Sequence, residues 1–281
     1  MSKWIYLNDE FLPEEKAYLH ISDLSIQRGY GIFDFFKIID DKPVFLEDHL
    51  DRFYHSASQM QLNVFKKREE LIFLIYTLIE KNNLSQSGIR LTLTGGYSSD
   101  SYTMANPNLI ISQHIFPLTT KENFEKGIKL ITYPHQRQLP QVKTIDYLMA
   151  IWLQSLIKEK GADDVLYHAN GVITECPRAN FFIVNKENKL ITPANNILKG
   201  ITRMKILELA EGYYEVEEKQ ITLSDIQNAK EAFITSSTKR VLPVFQIDDY
   251  VLQNNVKNTV TSHLYKQFLA LEKNHVLQTT E

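Results

Sequence analysis

The chain has 281 residues, 43% hydrophobic and 23% charged, with a formal net charge of −3. This composition suits a globular protein of one large or two modest domains. It offers no basic field for nucleic acid, and no apolar run reaches the roughly 20 residues of a membrane-spanning helix. A single cysteine excludes an intrachain disulfide and a cysteine-rich metal site.

The opening residues, "MSKWIYLNDEF", carry no signal-peptide core. With the lone cysteine, this gives the expectation of a soluble, cytoplasmic chain. "KWIYLN" and "AYLHIS" read as strands, and "GIFDFFKIIDDKPVFL" reads as a hairpin turning at Asp40-Asp41. An amphipathic helix is predicted near 47–61, where Leu46, Leu50, Phe53, Ala57 and Met60 share one face. A second helix covers "REELIFLIYTLIEKNN", and the strands "GIRLTLTGG" and "NLIISQHIF" follow. Helices and strands mix without βαβ alternation, which predicts an α+β fold. The polar segment 117–127 reads as a linker between domains at 1–116 and 128–281. Beyond it the pattern predicts a strand "IKLITY", a helix from about Thr144 to Lys160, short strands around 170–185 and a helix at 201–212. The strands "YYEVEEKQ", "EAFIT" and "RVLPVF" and a closing helix "NTVTSHLYKQFLALEKN" complete the chain.

Several residues invite a chemical reading beside a plain one. Lys143 precedes an apolar helix, where desolvation makes an amine nucleophilic, although most lysines are solvated. Glu175 lies at a proline-broken strand pair, and a buried carboxylate needs a partner. Gly200 and Thr202 open a helix whose first turn suits an anion, or Thr202 is an ordinary cap. The hydroxyl run "ITSSTKR" either donates to a phosphate or forms a polar turn. Arg52 suits bidentate phosphate contact or a helix ion pair. Cys176 reads as a small buried residue. His20, His49, His55 and His135 lack zinc-type spacing, so no metal is expected.

The order of these features, an early Arg, then Lys, Glu, a Gly-Ile-Thr helix start and a Ser/Thr run, resembles the class IV aminotransferases, the fold-type IV enzymes dependent on pyridoxal phosphate. The pieces "KTIDYL", "GVITECPRANFFIV" and "KGITR" carry the resemblance most specifically. It implies a small N-terminal α+β domain, a larger C-terminal domain with a β-barrel-like core, and a homodimer sharing its site across subunits. It implies Lys143 as the Schiff-base lysine and proton shuttle, and Glu175 as partner of the pyridine nitrogen. Tyr147 falls near the ring hydroxyl and Leu198 against the ring face. Arg52, Ile201, Thr202 and Ser237 match phosphate ligands, with Thr238 at the edge of the substrate pocket.

"QRGYGIFDFF" resembles the D-amino acid aminotransferase segment, with Tyr30 at a carboxylate-holding position. Arg90 matches an arginine of the branched-chain enzymes. The Thr-Arg-Gly common to D-amino acid enzymes and lyases is here Thr94-Gly95-Gly96, so Arg28, Arg90 and Arg137 become candidate carboxylate ligands. The resemblance therefore implies a D-amino acid aminotransferase passing its amino group to 2-oxoglutarate. The alternatives are an L-branched-chain aminotransferase, a 4-amino-4-deoxychorismate lyase, or a non-catalytic cofactor-binding protein.

Overall fold

The computed structural model describes residues 3–117, 119–252 and 256–278. It forms two compact units. The first is built from the residues up to Pro117, the segment Val142–Asp146 and the residues from Asn274 on; the second comprises Leu118–Gln141 and Tyr147–Lys273.

In the first unit, β1 (Trp4–Leu7) and β2 (Glu10–Pro13) form a hairpin, followed by α1 (Leu24–Arg28), β3 (Gly31–Ile39) and β4 (Lys42–Pro43). Two helices, α2 (Leu46–Gln59) and α3 (Arg68–Asn82), precede β5 (Gln86–Thr94) and β6 (Leu109–His114). The strands make one antiparallel sheet in the order β2-β1-β6-β5-β3-β4. Asp40 and Asp41 turn the β3–β4 hairpin with φ of 50° and 61°, the left-handed pair that such two-residue turns require. Ile32, Phe36 and Ile38 of β3 share a core with Leu50, Phe53 and Ala57 of α2 and Leu71, Ile75 and Leu78 of α3. Side chains alternate along a strand, so Asp34 belongs to this helix-covered side of β3, while Phe33 and Phe35 belong to the other.

The predicted strand at "AYLHIS" is instead loop. Order resumes at α1, where Asp23 accepts from the Ser25 amide and Gly29 closes the helix at φ 65°.

The second unit opens with α4 (Lys121–Lys126), β7 (Ile128–Pro134), α5 (Leu148–Trp152) and α6 (Gln154–Glu159). The strands β8 (Asp164–Ala169), β9 (Val172–Ile173), β10 (Glu175–Cys176), β11 (Ala179–Val184) and β12 (Leu190–Thr192) follow, then α7 (Ile201–Glu211), β13 (Val216–Glu218), β14 (Ile221–Thr222) and α8 (Leu223–Asn228). The strands β15 (Glu231–Ser236), β16 (Arg240–Ile247) and β17 (Tyr250–Val251) and the long α9 (Val260–Gln278) complete it; the last turn of α9 is counted with the first unit. The eleven strands form one mixed, curled sheet, its main path running β13-β12-β11-β15-β16-β7-β8-β9-β14. Its β16–β7, β7–β8 and β12–β13 pairings are parallel. Phe181, Ile183, Ala232, Ile234, Leu242 and Val244 build its inner core.

Two sequence expectations change. The segment 117–127 is no plain linker: Thr120 caps a helix at Lys121–Lys126 by accepting from the Asn123 amide, and Leu118 lies outside the described residues. The predicted helix from Thr144 starts only at Leu148 and is interrupted at Leu153. Val142–Asp146 is non-helical instead, because it bridges to the start of β3 through Thr144 and Ile32. The Phe33 amide donates to the Lys143 carbonyl at 2.9 Å, and the Ile145 amide donates to the Gly31 carbonyl at 3.1 Å. Lys143 groups with the first unit.

Candidate active site

The first unit carries Lys143 on that paired segment. Its amide also donates to the Ser56 hydroxyl of α2 at 3.3 Å. Its Nζ sits 4.7 Å from the centroid of the Phe33 ring, and the Arg90 guanidinium carbon lies 4.0 Å from the same centroid. Two cations thus share one aromatic platform. His49, Arg52 and Ser56 follow one another on α2 at helical spacing. Arg52 makes the ion pair left open above: its Nε and Nη2 donate to the two oxygens of Asp34, each at 2.8 Å. His49 Nδ1 lies 2.7 Å from Asp34 Oδ1. Burial alone would raise the Asp34 carboxyl; Arg52 and His49 outweigh it and hold Asp34 well below the usual carboxylate range. Burial pushes His49 down, against the opposing pull of Asp34.

Of the candidate substrate residues in this unit, Tyr30 donates its hydroxyl to the Met60 carbonyl at 2.6 Å. Arg28 is exposed in the last turn of α1, with Nη1 on the Gln27 carbonyl at 2.9 Å. The loop after Thr94 contains Gly96 at φ 80°, where a Cβ would meet the Asn106 carbonyl oxygen at 2.1 Å.

The second unit carries Glu175, buried on β10. Its Oε2 accepts from the Leu198 amide at 3.0 Å and from Asn180 Nδ2 at 3.5 Å, and Oε1 pairs with Arg137 Nε at 3.2 Å. Arg137 Nη2 also donates to the Pro140 carbonyl at 2.7 Å. Asn180 Nδ2 donates to the Leu198 carbonyl at 2.7 Å, so the carboxylate and the approach to α7 are tied together. Tyr147 is half-buried at the start of α5, its carbonyl accepting from the Ile151 amide at 3.0 Å. Ile201 and Thr202, both buried, open α7. Ser237 and Thr238 form the β15–β16 turn, which Lys239 anchors through Asp164 at 2.8 Å. Cys176 is fully buried, and burial pushes its thiol well above the ordinary value, which makes it inert. Among the described residues, no group of three or more His, Cys, Asp or Glu could hold a metal ion, and no helix is long and apolar enough to cross a membrane.

The start of α7 suits a phosphate. Its cap residue, Gly200, gives no side-chain cap to the first turn, so the amide donors there suit an anion. A Cβ on Gly200 would lie 2.2 Å from Asn180 Oδ1, so a larger residue here would displace the Asn180 side chain. Thr235, the cross-strand partner of Asn180, has a buried hydroxyl without a hydrogen-bond partner among the described residues. Such a group calls for a ligand or a water.

Residues 31–247 match the family profile of amino-transferase class IV. The chain belongs to the class IV aminotransferases. It is 32% identical to a putative branched-chain-amino-acid aminotransferase of Methanocaldococcus jannaschii, over 94% of each chain. It is 28% identical to a D-alanine aminotransferase of Listeria monocytogenes, again over 94% of each. The structure superposes on the branched-chain amino acid aminotransferase of Escherichia coli at a TM-score of 0.89, with 24% identity over 97% of this chain and 95% of that one. Class IV aminotransferases are pyridoxal-phosphate enzymes, so this chain is a transaminase of that cofactor class, with the α+β fold-type IV architecture.

Asp34, Asn180, Thr235 and Lys239 escape the sequence reading. A signal exists for Asp34, a charged residue on a strand side otherwise apolar and flanked by phenylalanines. Asn180, Thr235 and Lys239 have no comparable local mark.

Proposed function

We propose that this class IV aminotransferase moves an amino group from a D-amino acid to a 2-oxo acid such as 2-oxoglutarate, through an atypical carboxylate site. The observation that supports it is the "RGYGIF" segment with Tyr30; Arg90, which also matches the branched-chain enzymes, supplies a guanidinium for the carboxylate. Where the expected arginine is replaced by Gly95, a guanidinium shares the Phe33 ring with the Lys143 amine. With the Tyr30 proton given to Met60, recognition of a substrate carboxylate falls to guanidinium groups, for which Arg90 and the exposed Arg28 are the candidates. The "RGYGIF" segment and the similarity to a D-alanine aminotransferase support the D-configuration. The relative at 32% identity supports a second reading, an L-branched-chain aminotransferase.

Pyridoxal phosphate, when bound, supplies a conjugated ring that accepts the electron pair left by the departing α-proton. In this reading Lys143 Nζ would hold the cofactor and move the proton at the substrate α-carbon. Glu175 would partner the pyridine nitrogen, Leu198 would pack against the ring and Tyr147 would lie near its hydroxyl. Arg52, the amides of Ile201 and Thr202, and Ser237 hold the phosphate, with Thr238 at the pocket edge. A cytoplasmic homodimer completes the reading. Leu148, Ile151 and Trp152 on the five-residue α5 are 76%, 63% and 65% exposed, an apolar face suited to a second copy. Light scattering at the monomer mass in dilute solution would remove the dimer.

The deciding experiment mixes the purified holoenzyme with single amino acids and follows loss of the cofactor's visible absorption. D-alanine and D-glutamate are expected to discharge it and L-leucine to leave it unchanged. Turnover of L-leucine alone establishes the branched-chain reading instead.

A further inference from the structure

Asp34 has no role in the scheme above, yet it is among the most constrained polar groups in the first unit. It is 0% exposed, on the core side of β3 between Ile32 and Phe36. Its carboxylate accepts Arg52 Nε on Oδ2, and Arg52 Nη2, His49 Nδ1 and the Phe35 amide on Oδ1, all within 2.7–2.8 Å. Two parallel bonds to one carboxylate fix the plane of a guanidinium. They engage Nε and Nη2 and leave Nη1 outside the fork. The charges of Asp34 and Arg52 cancel, and burial pushes His49 toward its neutral form. The cluster therefore offers an anion direction and little net field.

We propose that Asp34, backed by His49, is a positioning residue that fixes Arg52 as an oriented phosphate donor. The inference rests on the reading of Arg52 as a phosphate ligand. Arg52 alone would be a long side chain free to rotate, and ordering it on binding would weaken affinity. The fork removes that loss before the ligand arrives. A lysine at this position would keep the charge and lose the two-point hold.

The test uses the whole chain stripped of cofactor and compares pyridoxal phosphate with pyridoxal, which lacks the phosphate. Dissociation constants are measured for wild type, Asp34→Asn, Arg52→Ala and Arg52→Lys, with thermal melts of each cofactor-free protein to confirm folding. Asp34→Asn is expected to weaken pyridoxal phosphate by about tenfold or more and to leave pyridoxal within about twofold. Arg52→Lys is expected to lose nearly as much as Arg52→Ala. If Arg52→Ala loosens pyridoxal phosphate and Asp34→Asn does not, the role of Asp34 is wrong and Arg52 keeps its own. If Arg52→Ala binds as tightly as wild type, the phosphate reading itself fails. Equal weakening of both ligands by Asp34→Asn marks a merely structural residue and overturns the proposal. Should Asp34→Asn not fold, wild-type affinity in Arg52→Lys overturns it equally, because orientation is then dispensable.

Discussion

Arg137 Nε lies 3.2 Å from Glu175 Oε1, with the two side chains 18% and 7% exposed. An arginine that the sequence offers as a substrate ligand is thus committed to the carboxylate proposed for the pyridine nitrogen. Removing one partner of such a pair leaves the other buried charge uncompensated. Arg137→Met is therefore expected to lower kcat and shift its pH profile while leaving the KM for the amino donor within about twofold. A large rise in KM at unchanged kcat would return Arg137 to the substrate.

Glu175→Gln keeps the shape and the Leu198 contact and loses the negative charge. The cofactor should remain bound and coloured, while the half-reaction slows by roughly a hundredfold, the scale of losing one preorganised electrostatic partner. Stopped-flow absorbance measures this, and unaltered half-reaction rates would remove Glu175 from the mechanism.

Lys143→Ala should abolish covalent attachment of the cofactor. The check is borohydride treatment followed by intact mass: wild type gains the mass of the reduced cofactor and the variant does not. A labelled variant would place the attachment at another lysine.

Acid should weaken the first unit through His49 and Asp34. Both have folded-state pKa values below their ordinary values of 6.5 and 3.8. The unfolded chain therefore binds more protons as pH falls, and stability is lost in that direction. The His49 contribution is complete above about pH 6.5 and declines below it; the Asp34 contribution declines only below about pH 4. Urea midpoints from pH 8 to pH 5 should fall for wild type and flatten in His49→Gln. Parallel curves would assign the decline to other groups.

Glu231 is the structural anchor of α9. It is buried, and its oxygens accept from the Val260 amide at 3.2 Å and from the Thr261 amide and hydroxyl at 2.9 and 2.7 Å. A carboxylate at a helix N-terminus also meets the positive end of the dipole. Glu231→Ala should cost about 3 kcal/mol of unfolding free energy, and Glu231→Gln about half as much, both measured by denaturant titration.

Legibility in the sequence follows the range of the interaction. The hairpin at Asp40-Asp41 and the helices at Leu46–Gln59 and Arg68–Asn82 are readable because turn chemistry and periodicity are local. The Lys143 segment departs from its helical pattern because its backbone bonds go to Gly31 and Phe33, more than a hundred residues earlier. Glu175 is legible as a costly carboxylate at a bend. Its hold by Arg137 and Leu198 is not, since neither neighbour carries any periodic mark. Asp34 can be flagged from its strand side, but its pairing with Arg52 depends on how a strand and a helix face each other.

Helix α2 has a practical consequence for redesign. It presents Arg52 to the proposed phosphate and, one turn on, gives Ser56 to the Lys143 main chain, a rise of about 6 Å along one rigid rod. Any substitution that rolls or slides this rod displaces both anchors at once. Variants sought for new substrates are best drawn from exposed positions such as Arg28, Tyr97 or Tyr102, leaving the rod as a fixed gauge length.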